Sequence, residues 1–218
     1  MAREPKQERG IRTRQAILLA AASVFDECGY ESASISEILA RAEVTKGALY
    51  FHFPSKEALA QGVVAAQMST LTAVAESELA LQAAIDLTLQ VADRLQHDLL
   101  LRAGIRLAVE QGGNFRPADA APYRAWIAMC RELFEKARLS GELLPHVDPA
   151  TAAELVVGCF TGTQLLSQVL AGRADVVRRI STLWSYLLPG MAVPGVLPHL
   201  RTVPLHAAVA RNYDDAHA

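Results

Sequence analysis

Between residues 7 and 28 the apolar positions Ile17, Leu18, Ala21, Val24 and Phe25 recur at the three-and-four spacing of a single helical face. Gly29 follows as a stop of the glycine type, with Tyr30 placed to pack back on the helix it ends. A second pattern, Ile35, Ile38 and Leu39, is opened by Ser34 as cap, with Glu37 at the capping-box position. Glu43 and Val44 leave room only for a tight connection before a third segment, 45–53, which ends in four consecutive rings, Tyr50, Phe51, His52 and Phe53. Helices this short do not stand alone in water, so the second and third must hold each other. The pair is predicted to be a helix-turn-helix, with the first helix completing a three-helix domain.

Pro54 forbids continuation, and Ser55 caps a new helix predicted over 55–78, with Leu59, Val63, Val64, Gln67, Met68 and Leu71 along one side. Helices are then expected at 81–98, 99–110, 118–140, 149–171 and 174–188, separated by glycine and proline. No strand alternation interrupts them, so the fold class is all-α: a DNA-binding domain at 1–54 and a helical ligand-binding and dimerisation domain at 55–218. The helix at 55–78 is the natural lever between them. Gly158, Cys159, Thr161, Gly162 and Thr163 put small side chains on an otherwise apolar helix. The helix after it is apolar on more than one side, and together they suggest a four-helix seam with a second copy of the chain. The tail from 193, with Pro194, Pro198 and Pro204, reads as a packed extension with a frayed end.

With 218 residues, 51% of them apolar, there is ample material for a core and a subunit interface. No apolar run approaches the ~20 residues that span a bilayer, and the charged N-terminus lacks a signal-peptide core; a cytoplasmic protein without membrane contact is expected. The net charge of −2 does not mark a generally basic nucleic-acid binder, but Arg3, Lys6, Arg9, Arg12 and Arg14 outnumber Glu4 and Glu8 at the start of the chain. A basic arm ahead of a helix-turn-helix is the footprint of phosphate contact. Cys28, Cys130 and Cys159 are widely spaced and read as reduced thiols in or near the core, with a redox sensor as the alternative. The motifs of phosphate loops, zinc proteases and serine hydrolases are missing, and the six histidines are scattered, so neither enzyme, metal site nor cofactor is expected.

In a helix-turn-helix the second helix turns its N-terminal residues toward base edges. Lys46 is placed to reach a guanine edge or a phosphate, Gly47 clears space against the duplex, and Tyr50 and His52 can hydrogen-bond flanking phosphates. Arg12, Arg14 and Lys56, with the caps Ser34 and Thr45, complete the candidate DNA-facing set; Leu49, Phe51 and Phe53 are assigned to the core. In the larger domain Gln67, Arg102, Trp126, Thr161, Thr163 and Gln164 interrupt core-like segments. Each is either a satisfied structural group or part of a site for a mostly apolar ligand with one or two carbonyl or hydroxyl groups. A body that serves only dimerisation, or that binds a different ligand such as an antibiotic, is the rival reading.

Several stretches resemble a known family. Ala20–Phe25, Gly29-Tyr30, Ser36-Glu37-Ile38, Val44–Phe53 and Ser55–Leu59 are similar to the N-terminal domain of TetR-family repressors. Arg102–Leu107, Gly141–His146 and Val157–Gln164 look like the gamma-butyrolactone receptor branch. The resemblance implies a homodimer on a palindromic double-stranded operator, with Trp126 in the position of a pocket tryptophan that meets a small apolar, lactone-like ligand. It also implies release by a population shift, in which the helix at 55–78 swings and changes the spacing of the two reading helices from about 34 Å.

Overall fold

The computed structural model describes residues 6–69, 77–109 and 121–204. Its helices are α1 (Lys6–Ser32), α2 (Ile35–Ala42), α3 (Lys46–His52), α4 (Lys56–Ser69), α5 (Ala80–His97), α6 (Leu99–Val109), α7 (Ala121–Leu139), α8 (Pro149–Ala171) and α9 (Val176–Leu187). Short 3-10 turns follow at Leu188–Gly190 and Leu197–His199. The one extended pairing among the described residues is the bridge between Leu143 and Ala192. Gly29 interrupts α1 with φ 77° and ψ −179°, a backbone geometry essentially confined to glycine. The helix expected at 55–78 is described as far as Ser69; Ser77, Glu78 and Leu79 are not helical, and Leu71 lies outside the described residues.

The chain divides into two compact units that are discontinuous in sequence. The first takes residues 1–72 and 98–122, the second 73–97 and 123–218. In the first, Ile17, Val24 and Phe25 of α1 pack with Ile38 of α2, Leu49 of α3 and Leu59 and Val63 of α4, all fully buried. Burying each such large side chain stabilises the fold by about 1.5–3 kcal/mol. Ala103 and Leu107 of α6 belong to this same core, so packing draws α4 and α6 into the unit with α1–α3 rather than following the expected break after residue 54. Arg102 Nε bonds the Asp26 carboxylate at 2.8 Å, and Arg106 Nη1 donates to the Asp26 carbonyl at 2.6 Å, tying α6 to α1.

In the second unit α9 lays Val176, Ile180 and Trp184 inward. The Trp184 indole N–H donates to Thr88 Oγ1 of α5 at 2.7 Å, and that hydroxyl donates to the Ile85 carbonyl at 2.8 Å. The start of α5 is capped from a distance: the buried carboxyl group of Glu142 accepts from the backbone N–H of Ala80 (3.0 Å) and Leu81 (2.8 Å). The carbonyl of Glu142 accepts from Val193 N–H at 2.9 Å. Gln82 then holds the expected packed extension at both ends of the Arg201 backbone unit, accepting its N–H at 2.7 Å and donating to its carbonyl at 3.0 Å. The three cysteines are free thiols, and burial pushes Cys130 up to about 12, where it stays protonated and unreactive.

Candidate nucleic-acid interface and ligand site

The reading edge of the first unit is built by two caps and one left-handed residue. Ser34 Oγ accepts from Glu37 N–H at 3.1 Å to start α2, and Thr45 Oγ1 accepts from Ala48 N–H at 3.2 Å to start α3. Between them Glu43 adopts φ 53° and ψ 40°, which turns the chain sharply enough to cross the helices. Arg41 braces α2 against α1 through Glu27 and pairs with Glu37 one turn back on α2 itself; its hydrogen bond holds Glu27 well below the usual carboxylate range, at about 2.

Thr45, Lys46 and Gly47 are exposed on the first turn of α3, and the space beside Gly47 is open. The Lys46 ammonium lies 6.0 Å from the Tyr50 ring, and Tyr50 is itself exposed. His52 is half-buried, edge-on to Phe51 at 5.1 Å between ring centroids. Arg12 and Arg14 are exposed on α1, the guanidinium of Arg14 sitting 5.0 Å over the Phe53 ring. Lys56 is occupied within the unit: its ammonium covers the Tyr30 ring at 4.6 Å and donates to the Glu31 carbonyl at 3.2 Å. Arg3 lies outside the described residues.

One core assignment fails. Leu49 and Phe53 are buried as expected, but Phe51 is 84% exposed. The cause is the length of α3: with seven residues it has one buried stripe, which Leu49 fills, and position 51 falls on the other side. An apolar ring held out beside Tyr50 and His52 was the residue missed on this surface.

In the second unit, Trp126 of α7 stands edge-on to Phe160 of α8, with centroids 4.8 Å apart and planes at 85°. Three residues before it, on the same face, Tyr123 hydrogen-bonds the Thr161 side chain; burial raises its phenol above the ordinary value and that bond partly offsets the rise. Thr161 Oγ1 also donates to the Val157 carbonyl at 2.8 Å. Trp126 is 8% exposed and Gln164 3%, yet Trp126 Nε1 and Gln164 Oε1 have no hydrogen-bond partner in the protein. Thr163 is half-buried on the neighbouring stripe. Tyr123 and Phe160 were not singled out in the sequence, although the Tyr123–Trp126 spacing is that of one helical face.

Gln67 belongs to the first unit and these four to the second. A Cβ at Gly104 of α6 would lie 2.2 Å from Gln67 Oε1 and 2.8 Å from Gln67 Cβ, so α4 and α6 meet through a notch that only glycine leaves open. The notch accounts for the close fit of the Gln67 side chain between the two helices. On α8, Leu155, Leu165, Leu166, Val169 and Leu170 are exposed along one face, with open space beside Gly158 and Gly162.

A helix-turn-helix unit and a second all-α unit in one chain are the class of protein these elements define. The family model for bacterial regulatory proteins of the tetR family matches residues 17–63, and that for the tetracyclin repressor-like C-terminal domain matches 78–194. The chain belongs to the TetR family of DNA-binding transcriptional regulators. Among relatives it is 44% identical over 196 residues to the A-factor receptor protein of Streptomyces griseus, covering 90% of this chain and 70% of that one. It matches the crystal structure of TylP, a TetR regulator from Streptomyces fradiae, at a TM-score of 0.78 and 45% identity over 96% of this chain and all of that one. A gamma-butyrolactone receptor described as ArpA-like matches at a TM-score of 0.73 and 33% identity, over 86% and 92%. Among the described residues no helix is long and apolar enough to cross a membrane.

Proposed function

We propose that the protein is a homodimeric repressor that holds a palindromic operator and lets go when a gamma-butyrolactone or butenolide-type signal enters its second unit. The genes it controls are those of secondary metabolism, and it works in the cytoplasm. The observation that carries the ligand half is the contrast between two indoles: Trp184 is buried with its N–H bonded to Thr88, while Trp126 is buried with its N–H unmatched by protein. A buried donor left without a partner costs about 1–3 kcal/mol, and a ligand carbonyl is a group that restores the bond. Similarity to an A-factor receptor and to a gamma-butyrolactone receptor supports the same ligand class.

Dimerisation is supported by the outer face of α8, where exposed leucines flank two open glycines that allow a second helix to come close. Lys46, Tyr50, His52, Arg12 and Arg14, joined by Phe51, form the DNA surface, with Ser34 and Thr45 fixing its shape. Lys56 then positions Tyr30 as much as it meets phosphate. The experiment is a gel shift on an operator selected from random duplexes, titrated with a lactone and butenolide panel. Release by the wild type and retention of DNA by Trp126→Ala in the presence of the same compound is the expected result. A Trp126→Ala protein that releases normally refutes the ligand assignment.

A further inference from the structure

Phe160 and Gln164 lie one turn apart on the same face of α8, and the edge of Trp126 packs on Phe160. The facing stretches of α7 and α8 hold one buried donor without a protein acceptor, Trp126 Nε1, and one buried acceptor without a protein donor, Gln164 Oε1. Gln164 is nearly inaccessible within the single chain, so its amide is not part of the exposed α8 face. Gln168, one turn on, has a second buried amide oxygen without a partner. An apolar ligand with a carbonyl alone would answer the indole and leave Gln164 with its acceptor unmet.

Resting on the ligand reading above, we infer that Gln164 is a specificity-determining residue: it accepts a hydrogen bond from a free hydroxyl of the ligand while Trp126 donates to the ligand's carbonyl. The class selected is a hydroxylated lactone, and an otherwise identical compound without the O–H is rejected. A site built to bond a hydroxyl discriminates strongly against its absence, because the buried amide oxygen is left unmatched.

The test uses the full chain and a matched pair of alkyl gamma-butyrolactones, one with a free hydroxyl and one with that hydroxyl O-methylated, with affinities from titration calorimetry. The wild type is expected to prefer the alcohol by about tenfold to a hundredfold. Gln164→Leu, of similar size and without the acceptor, should bind the two alike, with Gln164→Met as a second variant should leucine disturb folding. A wild type that binds both compounds equally overturns the inference and leaves the ligand reading standing. Retained preference in both variants does the same, and its loss in Gln168→Leu instead moves the role to that residue. Failure of every lactone to bind the wild type overturns the ligand reading and this inference with it.

Discussion

Replacing Phe51 by alanine separates DNA reading from folding more cleanly than any other change in the first unit. The ring is 84% exposed, so its removal should alter stability by no more than about 0.5 kcal/mol. Leu49→Ala, one residue from Tyr50 but fully buried, should cost about 2–5 kcal/mol. Taking about 200 Å² for a phenylalanine side chain, the exposed part is about 170 Å², and complete coverage at 25 cal/mol per Å² gives a ceiling of about 4 kcal/mol. A ring resting on thymine methyls and sugar carbons is covered on one side, which leaves about 2 kcal/mol, or about thirtyfold per half-site. In a dimer two rings are lost, and the combined effect approaches the square of that factor. Fluorescence anisotropy on a selected operator at fixed salt, beside a thermal melt, measures both quantities. Binding within about threefold of the wild type, with an unchanged melt, would refute the placement of this ring against DNA.

Lys46→Ala should weaken operator binding and, if its partner is a phosphate, lower the slope of log affinity against log salt by about one per copy; an unchanged slope with reduced affinity reports a base edge instead. Glu142→Ala strands the first two N–H groups of α5, and about 3 kcal/mol should be lost, seen as a melting point lower by about 6–12 °C; a shift under 2 °C by circular dichroism contradicts the capping role. Asp175 is lowered from its ordinary 3.8 to about 2, chiefly by its hydrogen bond from Arg179 and then by Ser167. Its contribution is therefore present above the unfolded value and lost as the pH falls from about 4 toward 2. Hydrogen exchange at the α8–α9 corner should accelerate across that window in the wild type and not in Asp175→Asn.

Much of this architecture is legible in the pattern of apolar residues and breakers. The bounds of α8 fall where proline and glycine put them: Asp148 caps Thr151 N–H at 2.8 Å, Pro149 occupies the first turn, and Gly172 ends the helix in the left-handed region. The three-helix core is equally plain, because its buried side chains sit at helical spacing. Groups matched over long distances are not. Glu142 lies 62 residues from the N–H it caps, and Arg102 lies 76 from Asp26, so a polar residue in a core-like helix reads as a ligand contact until its partner is found. Phe51 was misassigned for a different reason: an aromatic ring looks alike in a pattern whether it faces the core or the solvent. The notch that Gly104 leaves for Gln67 is likewise announced by nothing local in the sequence.

The first unit's discontinuity governs how such proteins can be recombined. A fragment ending near residue 54, or a chimera exchanged at that point, would keep the reading helices but discard Leu59, Val63, Ala103 and Leu107, baring the sides of Ile17, Val24 and Phe25 that they shield. Grafting a foreign operator preference onto this receptor therefore calls for transplanting two separate lengths of chain, 1–72 with 98–122, or else for exchanging only the outward residues of α3 in place.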